Sequence, residues 1–327
     1  MPRLRQFLSA ALMFLSLGLS ALGNSAQAQD SEGGLAPAEV QVGAYIMRLN
    51  NVSQKDGTFD VDMWVWFHWK DSNLRPYESF EISNGQIQSR SDAIVSQDAG
   101  MNYTSVRVQA TIFHDYDVKR FPMDSHNLSI NIEDQNLDTN ALVYVTDKNT
   151  AIDPDLKVPG WTVKLGPETI ENHEYSTNYG LASSGAATST YSRLMFKVDL
   201  LREGFGPLFK QFWMSGLSVL LGLLAFRVKA TDLDARFGLG VGSIFAASAN
   251  AFVIADSLPQ STDVTLAEQI NFLAIGTIFL CVSISIWSLR ICYKGKDAAS
   301  ERLDAWAMAI IASLYIGANI AVALLSL

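Results

Sequence analysis

Residues 234–256 read DARFGLGVGSIFAASANAFVIAD. Between Phe237 and Ala255 there is no charged side chain, and a charge closes each end, Arg236 on one side and Asp256 on the other. About 20 apolar residues span a bilayer as a helix, and this stretch meets that length. Its composition sets it apart from an ordinary lipid-facing span. Gly238, Gly240, Gly242, Ala246, Ala247, Ala249 and Ala251 are small, and Ser243, Ser248 and Asn250 are polar. Small residues allow close helix packing, and polar groups at membrane depth face protein or water. A helix lining a pore within a ring has this composition, and so does a tightly packed inner helix with no pore.

Three further uncharged stretches surround it: Gln211–Phe226, Gln269–Leu289 and Ala305–Leu327. The first is short and must recruit Phe205–Lys210, with Lys210 reaching back to the interface. The expected spans are therefore about 205–226, 237–256, 268–289 and 304–327. Arg227, Lys229 and Arg236 sit in or beside the first connection, and Arg290, Lys294, Lys296 and Arg302 in the third, whereas the second, 256–268, has no basic residue. The positive-inside rule puts the first and third connections in the cytoplasm. Residues 1–28 carry Arg3 and Arg5, an apolar run from Phe7 to Leu22, and Ala26-Gln27-Ala28, the pattern of a secretory signal peptide. An uncleaved anchor is the alternative. Both cues place residues 29–203 outside the inner membrane, in the periplasm or outside the cell.

That outer segment holds 25 Asp and Glu against 14 Lys and Arg, a net of −11, within a chain of 327 residues and net charge −9. An acidic external domain concentrates cations. The whole chain is 49% hydrophobic, with a mean hydropathy of +0.14, which excludes a disordered chain. The acidic balance and the lack of a basic patch argue against nucleic acid as a partner. Cys281 and Cys292 offer neither a disulfide framework nor zinc spacing. No nucleophile triad, metal-ligand spacing or phosphate loop is present, so no enzyme activity, metal or cofactor is expected.

Period-two alternation dominates residues 29–203. Phe59, Val61, Met63, Val65, Phe67 and Trp69 alternate with Asp60, Asp62, Trp64, Trp66 and His68. Val106–Ile112, Leu128–Ile132 and Leu194–Leu200 alternate likewise. Such runs, separated by Asn, Gly, Pro and Asp clusters, predict a β-sandwich. The expected class is thus an N-terminal extracytoplasmic β-sandwich, 29–203, followed by a transmembrane four-helix bundle, 204–327. Trp64, Trp66 and His68 fall on the face opposite the apolar one, and either a neighbouring subunit or a ligand must cover the two indoles. Residues 176–190, STNYGLASSGAATST, form a small, polar hairpin tip flanked by Tyr175, Tyr179 and Tyr191. His68, His114, His126 and His173 are scattered, and any of them could sense pH.

The chain resembles the prokaryotic branch of the pentameric ligand-gated ion channels, the Cys-loop receptor family. Phe121-Pro122-Met123-Asp124 matches the family's Phe-Pro-x-Asp signature. His114 and Leu128 occupy the loop-cysteine positions, so the disulfide is absent. Trp69-Lys70-Asp71, Gly160-Trp161 and Arg202 match further motifs, and Ala235–Val241 followed by Leu258-Pro259 and Ser261–Val264 resembles the two ends of the pore helix. The short 290–303 linker also resembles bacterial members. What the resemblance implies is a homopentamer in membrane lipid that conducts inorganic ions and is gated by a small molecule or by protons. It implies pore-facing Gly238, Gly242, Phe245, Ala249, Phe252 and Asp256, at helical intervals of three and four. Phe245 takes the place of a hydrophobic gate. The inner mouth, Asp234, Ala235 and Arg236, is half the cation form and half the anion form, and the acidic outer domain favours cations. A ligand site between subunits would draw on Trp64, Trp66 and His68 of one copy, with Gln135, Tyr175, Tyr179 and Tyr191 of the next. Gln135 stands where an aromatic is common, so the cage is incomplete. Coupling between the domains would run through Phe121, Pro122, Asp124, Arg202, Pro259 and Asp263. Asp124 or a neighbouring acid would pair with Arg202, or Arg202 merely caps the interface. A non-conducting membrane-anchored sensor or scaffold is the competing reading.

Overall fold

Alternation in the sequence becomes two facing sheets in the computed structural model, which describes residues 36–180, 188–204, 206–261 and 263–325, without the side chains of Leu208, Lys210 and Gln211. The expected signal peptide, the hairpin tip at 181–187 and the Lys210 side chain lie outside the described residues.

The larger sheet runs in the order β4 (Gly85–Arg90), β6 (Met101–Phe113), β2 (Thr58–Trp69), β1 (Ala38–Ser53), β8 (Leu142–Thr146); β5 (Ile94–Asp98) pairs with β6 and β9 (Ala151–Ile152) with β1. The smaller sheet runs β10 (Trp161–Leu165), β12 (Ser189–Arg202), β7 (Ser125–Asp134), β3 (Phe80–Ile82), with β11 (Thr169–Tyr175) on β12. A single helical turn, α1 (Pro76–Ser79), interrupts the strands. The apolar set of β2, from Phe59 to Trp69, is buried against Leu128, Ile130 and Ile132 of β7 and Leu194, Phe196, Val198 and Leu200 of β12. A one-residue slip of β2 would turn that whole set to the outside, so burial of one face fixes the register.

Trp66 is half-buried like Trp64 and His68, and part of its covering comes from its own chain. Its ring lies against Gly43, its cross-strand partner on β1, and its Nε1 donates to Asp147 Oδ2 at 2.7 Å. A Cβ at Gly43 would sit 2.6 Å from the indole carbons. Gly43→Ala is expected to destabilise the β domain by about 1–3 kcal/mol, the usual cost of overpacking, and to change the tryptophan emission on thermal unfolding. Asp62, assigned by parity to the polar face, is also buried: Arg107 donates to it from Nε at 2.9 Å and from Nη2 at 2.7 Å.

Four helices follow: α2 (Gly206–Leu224), α3 (Leu233–Ser257), α4 (Leu266–Cys292) and α5 (Asp297–Leu325), with a 3-10 turn, Ala225–Arg227, extending α2. The last three are long and apolar enough to cross a membrane, and a shorter apolar helical segment covers Phe212–Arg227. Each long helix begins earlier than hydropathy alone suggests, because polar caps belong to the helix. Asp232 accepts from Ala235 N at 3.3 Å to start α3, and Thr265 with Glu268 forms a capping box on α4. The first turns of α5, from Asp297 to Arg302, are charged and reach past the apolar run.

Inside the bundle, Asn250 Nδ2 donates to Ser215 Oγ at 2.8 Å and to Asn271 Oδ1 at 3.1 Å, tying α3 to α2 and α4. All three side chains are buried. Apolar contact gains little over lipid at this depth, so such bonds hold membrane helices together. The β core continues into the bundle: Ile254, Leu258 and Ala267 belong to the same buried cluster as the sandwich.

Candidate functional site

Three places gather the candidate residues: the outer faces of the two sheets, the junction between sheets and helices, and the open face of α3.

Parity along β7 turns Leu128, Ile130 and Ile132 inward and Glu133 outward, yet Glu133 is only 1% exposed. Two neighbours cover its carboxylate. Arg193 Nε donates to Oε1, and the Tyr175 hydroxyl donates to Oε2 at 2.9 Å. Arg193 Nη2 also donates to the Tyr175 hydroxyl at 3.1 Å. Tyr175 stands 5.9 Å, centroid to centroid, from both Tyr179 and Tyr191, and His173 packs on it at 4.6 Å. Pairing of β11 with β12 brings these rings together, since His173 lies opposite Tyr191. Burial, then the Glu133 carboxylate, pushes the Tyr175 phenol up to about 12. Gln135 is exposed just beyond β7, its amide N–H donating to Ser79 O at 2.9 Å. Glu133 and Arg193 were missed in the sequence; the signal was an acid on the outer face of β7 and an arginine on the facing strand.

Trp64, Trp66 and His68 lie on the other sheet. His68 packs on Tyr103 at 4.9 Å, and its Nε2 lies 3.6 Å from Asp98 Oδ2. Among the described residues no hydrogen bond or ring contact joins this group to the tyrosine group. Within one chain the two halves of the expected ligand site remain apart.

At the junction, Arg202 ends β12 and Asp124 follows the cis Phe121–Pro122 bond. Arg202 Nε donates to Asp124 Oδ1 at 3.1 Å and Nη2 donates to Oδ2 at 3.3 Å. Its guanidinium lies 4.0 Å above the Trp161 ring and 5.5 Å from that of Phe121. Gln54 Nε2 donates to Asp124, and His126 Nε2 lies 2.6 Å from Asp124 Oδ2. His126, scattered in the sequence, is thus buried within this cluster beside Tyr116 and Trp161. Burial alone would raise the Asp124 pKa. The His126 bond, the Arg202 charge and the Gln54 bond outweigh it and hold the carboxyl below its ordinary 3.8. A depressed carboxylate contributes stability that is complete above the ordinary value and is lost as pH falls through the depressed one. Acid unfolding followed by circular dichroism is therefore expected to begin below about pH 4, and Asp124→Asn to flatten that limb.

Helix ends complete the junction. Lys119 O accepts from Leu266 N at 2.9 Å, and Phe121 O accepts from Ala267 N at 3.2 Å, so the Pro122 loop caps α4 with its backbone. Lys119 Nζ lies 3.2 Å from Asp263 Oδ2, and Lys55 Nζ lies 2.5 Å from Asp256 Oδ1. Asp256 is thus held by the β1–β2 turn and is not a lone charge at the helix end. Pro259 is half-buried beside Leu258.

On α3, Arg236, Gly240, Ser243, Ala247, Asn250 and Ile254 are buried. Gly238, Gly242, Phe245, Ala249, Phe252 and Asp256 are exposed on the opposite face, Phe245 at 71% and Phe252 at 77%. Asp234 is exposed and Ala235 is half-buried. Arg236 departs from its expected place at the mouth. Its Nε and Nη2 donate to Val228 O at 2.9 and 2.7 Å, and Nη2 pairs with Asp304 of α5.

A β-sandwich seated on a bundle of apolar helices defines a membrane protein with a folded domain beside the bilayer. No family model matches the chain. Among curated proteins it is similar to the gamma-aminobutyric acid receptor subunit theta of Mus musculus, 21% identical over 274 residues, covering 76% of this chain and 41% of that one. It is 21% identical over 273 residues to the human gamma-aminobutyric acid receptor subunit rho-1, covering 74% and 54%. It is also 21% identical over 268 residues to a proton-gated ion channel of Gloeobacter violaceus, covering 75% and 71%. The chain spans about half the length of the receptor subunits it matches. The resemblance to the pentameric ligand-gated channels holds in these comparisons, and the relatives are receptor subunits and a channel, not enzymes.

Proposed function

We propose that the chain is one subunit of a homopentameric ion channel whose pore is lined by α3 and whose opening is set by the β domain. The observation that carries this reading is the two-sided α3: one stripe is buried on α2 and α4, and on the exposed side Gly238, Gly242, Phe245, Ala249 and Phe252 run between exposed Asp234 and Asp256, with exposed Phe237, Val241, Ile244 and Val253 beside them. A stripe with acids at both ends and small residues between them suits water and ions better than lipid tails. Ring closure supplies its covering, and Phe245 forms the narrowest apolar ring, which closes by dewetting.

In the ring each subunit presents Trp64, Trp66 and His68 toward Gln135, Tyr175, Tyr179 and Tyr191 of the next. A head-to-tail interface joins two different surfaces of the same chain, and five copies close it. The occupant is a small molecule or protons, which the receptor-subunit and proton-gated relatives both allow. Binding shifts the gate by its differential affinity for the two states. Asp124, Arg202, Phe121 and Pro122, with Pro259 and Asp263, transmit the shift. Cations are favoured over anions, because the outer domain is acidic. Residues 1–28 act as the signal peptide, residues 29–203 face the periplasm, and residues 204–327 lie in the inner membrane.

Proteoliposomes holding the purified protein, placed in a potassium chloride gradient and stepped from pH 8 to pH 4, test the reading. Current with a reversal potential on the cation side is expected. Protein that inserts but passes no current under any agonist or pH identifies a membrane-anchored sensor instead.

A further inference from the structure

We infer that Asp304, a residue of α5 remote from the pore face, sets ion selectivity by withholding Arg236 from the inner mouth. This rests on the reading of α3 as the pore helix. The sequence Asp234-Ala235-Arg236 puts one acid and one base two residues apart at the start of α3, and two residues on a helix point to nearly opposite sides. Arg236 continues the buried stripe of Gly240, Ser243, Ala247, Asn250 and Ile254, and is itself 4% exposed. Asp234 continues the exposed stripe, at intervals of four to Gly238 and Gly242.

Three acceptor contacts hold the guanidinium inside the bundle: two bonds to Val228 O and the pair with Asp304 Oδ2. Asp304 is 5% exposed, so both charges of the pair are removed from water. An isolated buried charge is costly, and a buried arginine stays inside only while its partner is there. A cation paired with a buried carboxylate also contributes less field at the mouth than a lone one, although Arg236 Nη1 and Asp304 Oδ1 are buried without a partner. Other charges on this side of the bundle are Asp232, which caps α3, Arg227 and Lys229, and Arg290, Lys294, Lys296, Asp297, Glu301 and Arg302 of the connection to α5 and its first turns. Arg227 and Lys229 line a cavity with Asp297, Glu301 and Asp304, on the α5 side of the bundle and away from the exposed stripe. Within α3, Asp234 is therefore the charge that the exposed stripe presents at this end. The motif that looks half anionic and half cationic in sequence becomes purely acidic in three dimensions.

Reversal potentials of reconstituted protein in a salt gradient test this. Wild type is expected to prefer cations. The charge-neutral exchange Arg236→Gln with Asp304→Asn is expected to leave the reversal potential unchanged, since neither group reaches the ions. Asp234→Asn is expected to lower the cation-to-anion permeability ratio by about tenfold without reversing its sign. A double exchange that moves the reversal potential further toward cations would show Arg236 facing the pore and overturn the inference. Should the double variant fail to assemble, Asp234→Asn decides alone: a mouth left with an exposed arginine would become anion-selective, and that sign reversal overturns it, as does an unchanged ratio. A wild type that conducts anions overturns the selectivity inference and leaves the channel standing. A wild type that conducts nothing removes the pore reading itself.

Discussion

Arg202→Ala is expected to destabilise the β domain by about 3–5 kcal/mol, the cost of leaving a buried partner charge unpaired. Asp124 is 3% exposed, and the arginine supplies two of its hydrogen bonds as well as its nearest full positive charge. The guanidinium also lies over the Trp161 ring at 4.0 Å, a cation–π contact in which arginine is favoured over lysine. Arg202→Lys should thus recover only part of the loss. The unfolding temperature of the detergent-purified protein measures both. A double-mutant cycle with Asp124→Asn separates the pair from the stacking, and a coupling of about 0.5–3 kcal/mol is expected for groups in one hydrogen-bonded network. A cycle with no coupling energy would reduce Arg202 to a cap on the interface. Because this cluster sits where the Pro122 loop caps α4, the proposed coupling route predicts that the same variants also move the agonist or proton concentration at half-maximal current.

The second large effect belongs to Phe245. Its ring is 71% exposed in the single chain, and five such rings would meet on the axis of a pentamer. Phe245→Ala removes the apolar constriction and is expected to raise resting current at least about tenfold, which a shift of about 1.4 kcal/mol in the gate equilibrium produces. Leu220→Ala on α2 and Trp306→Ala on α5, apolar and exposed positions outside the stripe, serve as controls and should leave resting current unchanged. An unchanged current in Phe245→Ala, with normal agonist response, would take Phe245 out of the ion path.

What the sequence made legible follows from how local each signal is. Alternation in β2, β6, β7 and β12 depends only on near neighbours, and burial of one face preserved it. Apolar length located four helices, the first of them short, but the starts of the three long ones lay in polar caps that hydropathy counts as loop. Side chains whose fate depends on distant partners were not legible. Nothing near Trp66 announces Asp147, 81 residues away, or the bare backbone of Gly43 beneath the ring. Arg236 has Asp234 as its sequence neighbour and Asp304, 68 residues on, as its partner. Parity places Glu133 on the outer face and His126 stands isolated in the sequence, and each is buried beside a partner from another segment, Arg193 or the Asp124 cluster. The α3 stripe was legible because helical periodicity needs no partner to be seen.

Five copies around one axis is the claim on which pore, gate and ligand site all depend. Native mass spectrometry of the mature protein released from gentle detergent, together with two-dimensional class averages, measures it directly. The expected result is a single species of five subunits with fivefold end-on views. A monomer or dimer that persists across detergents and lipids would contradict it, leaving the exposed face of α3 to lipid and the chain to act without a pore.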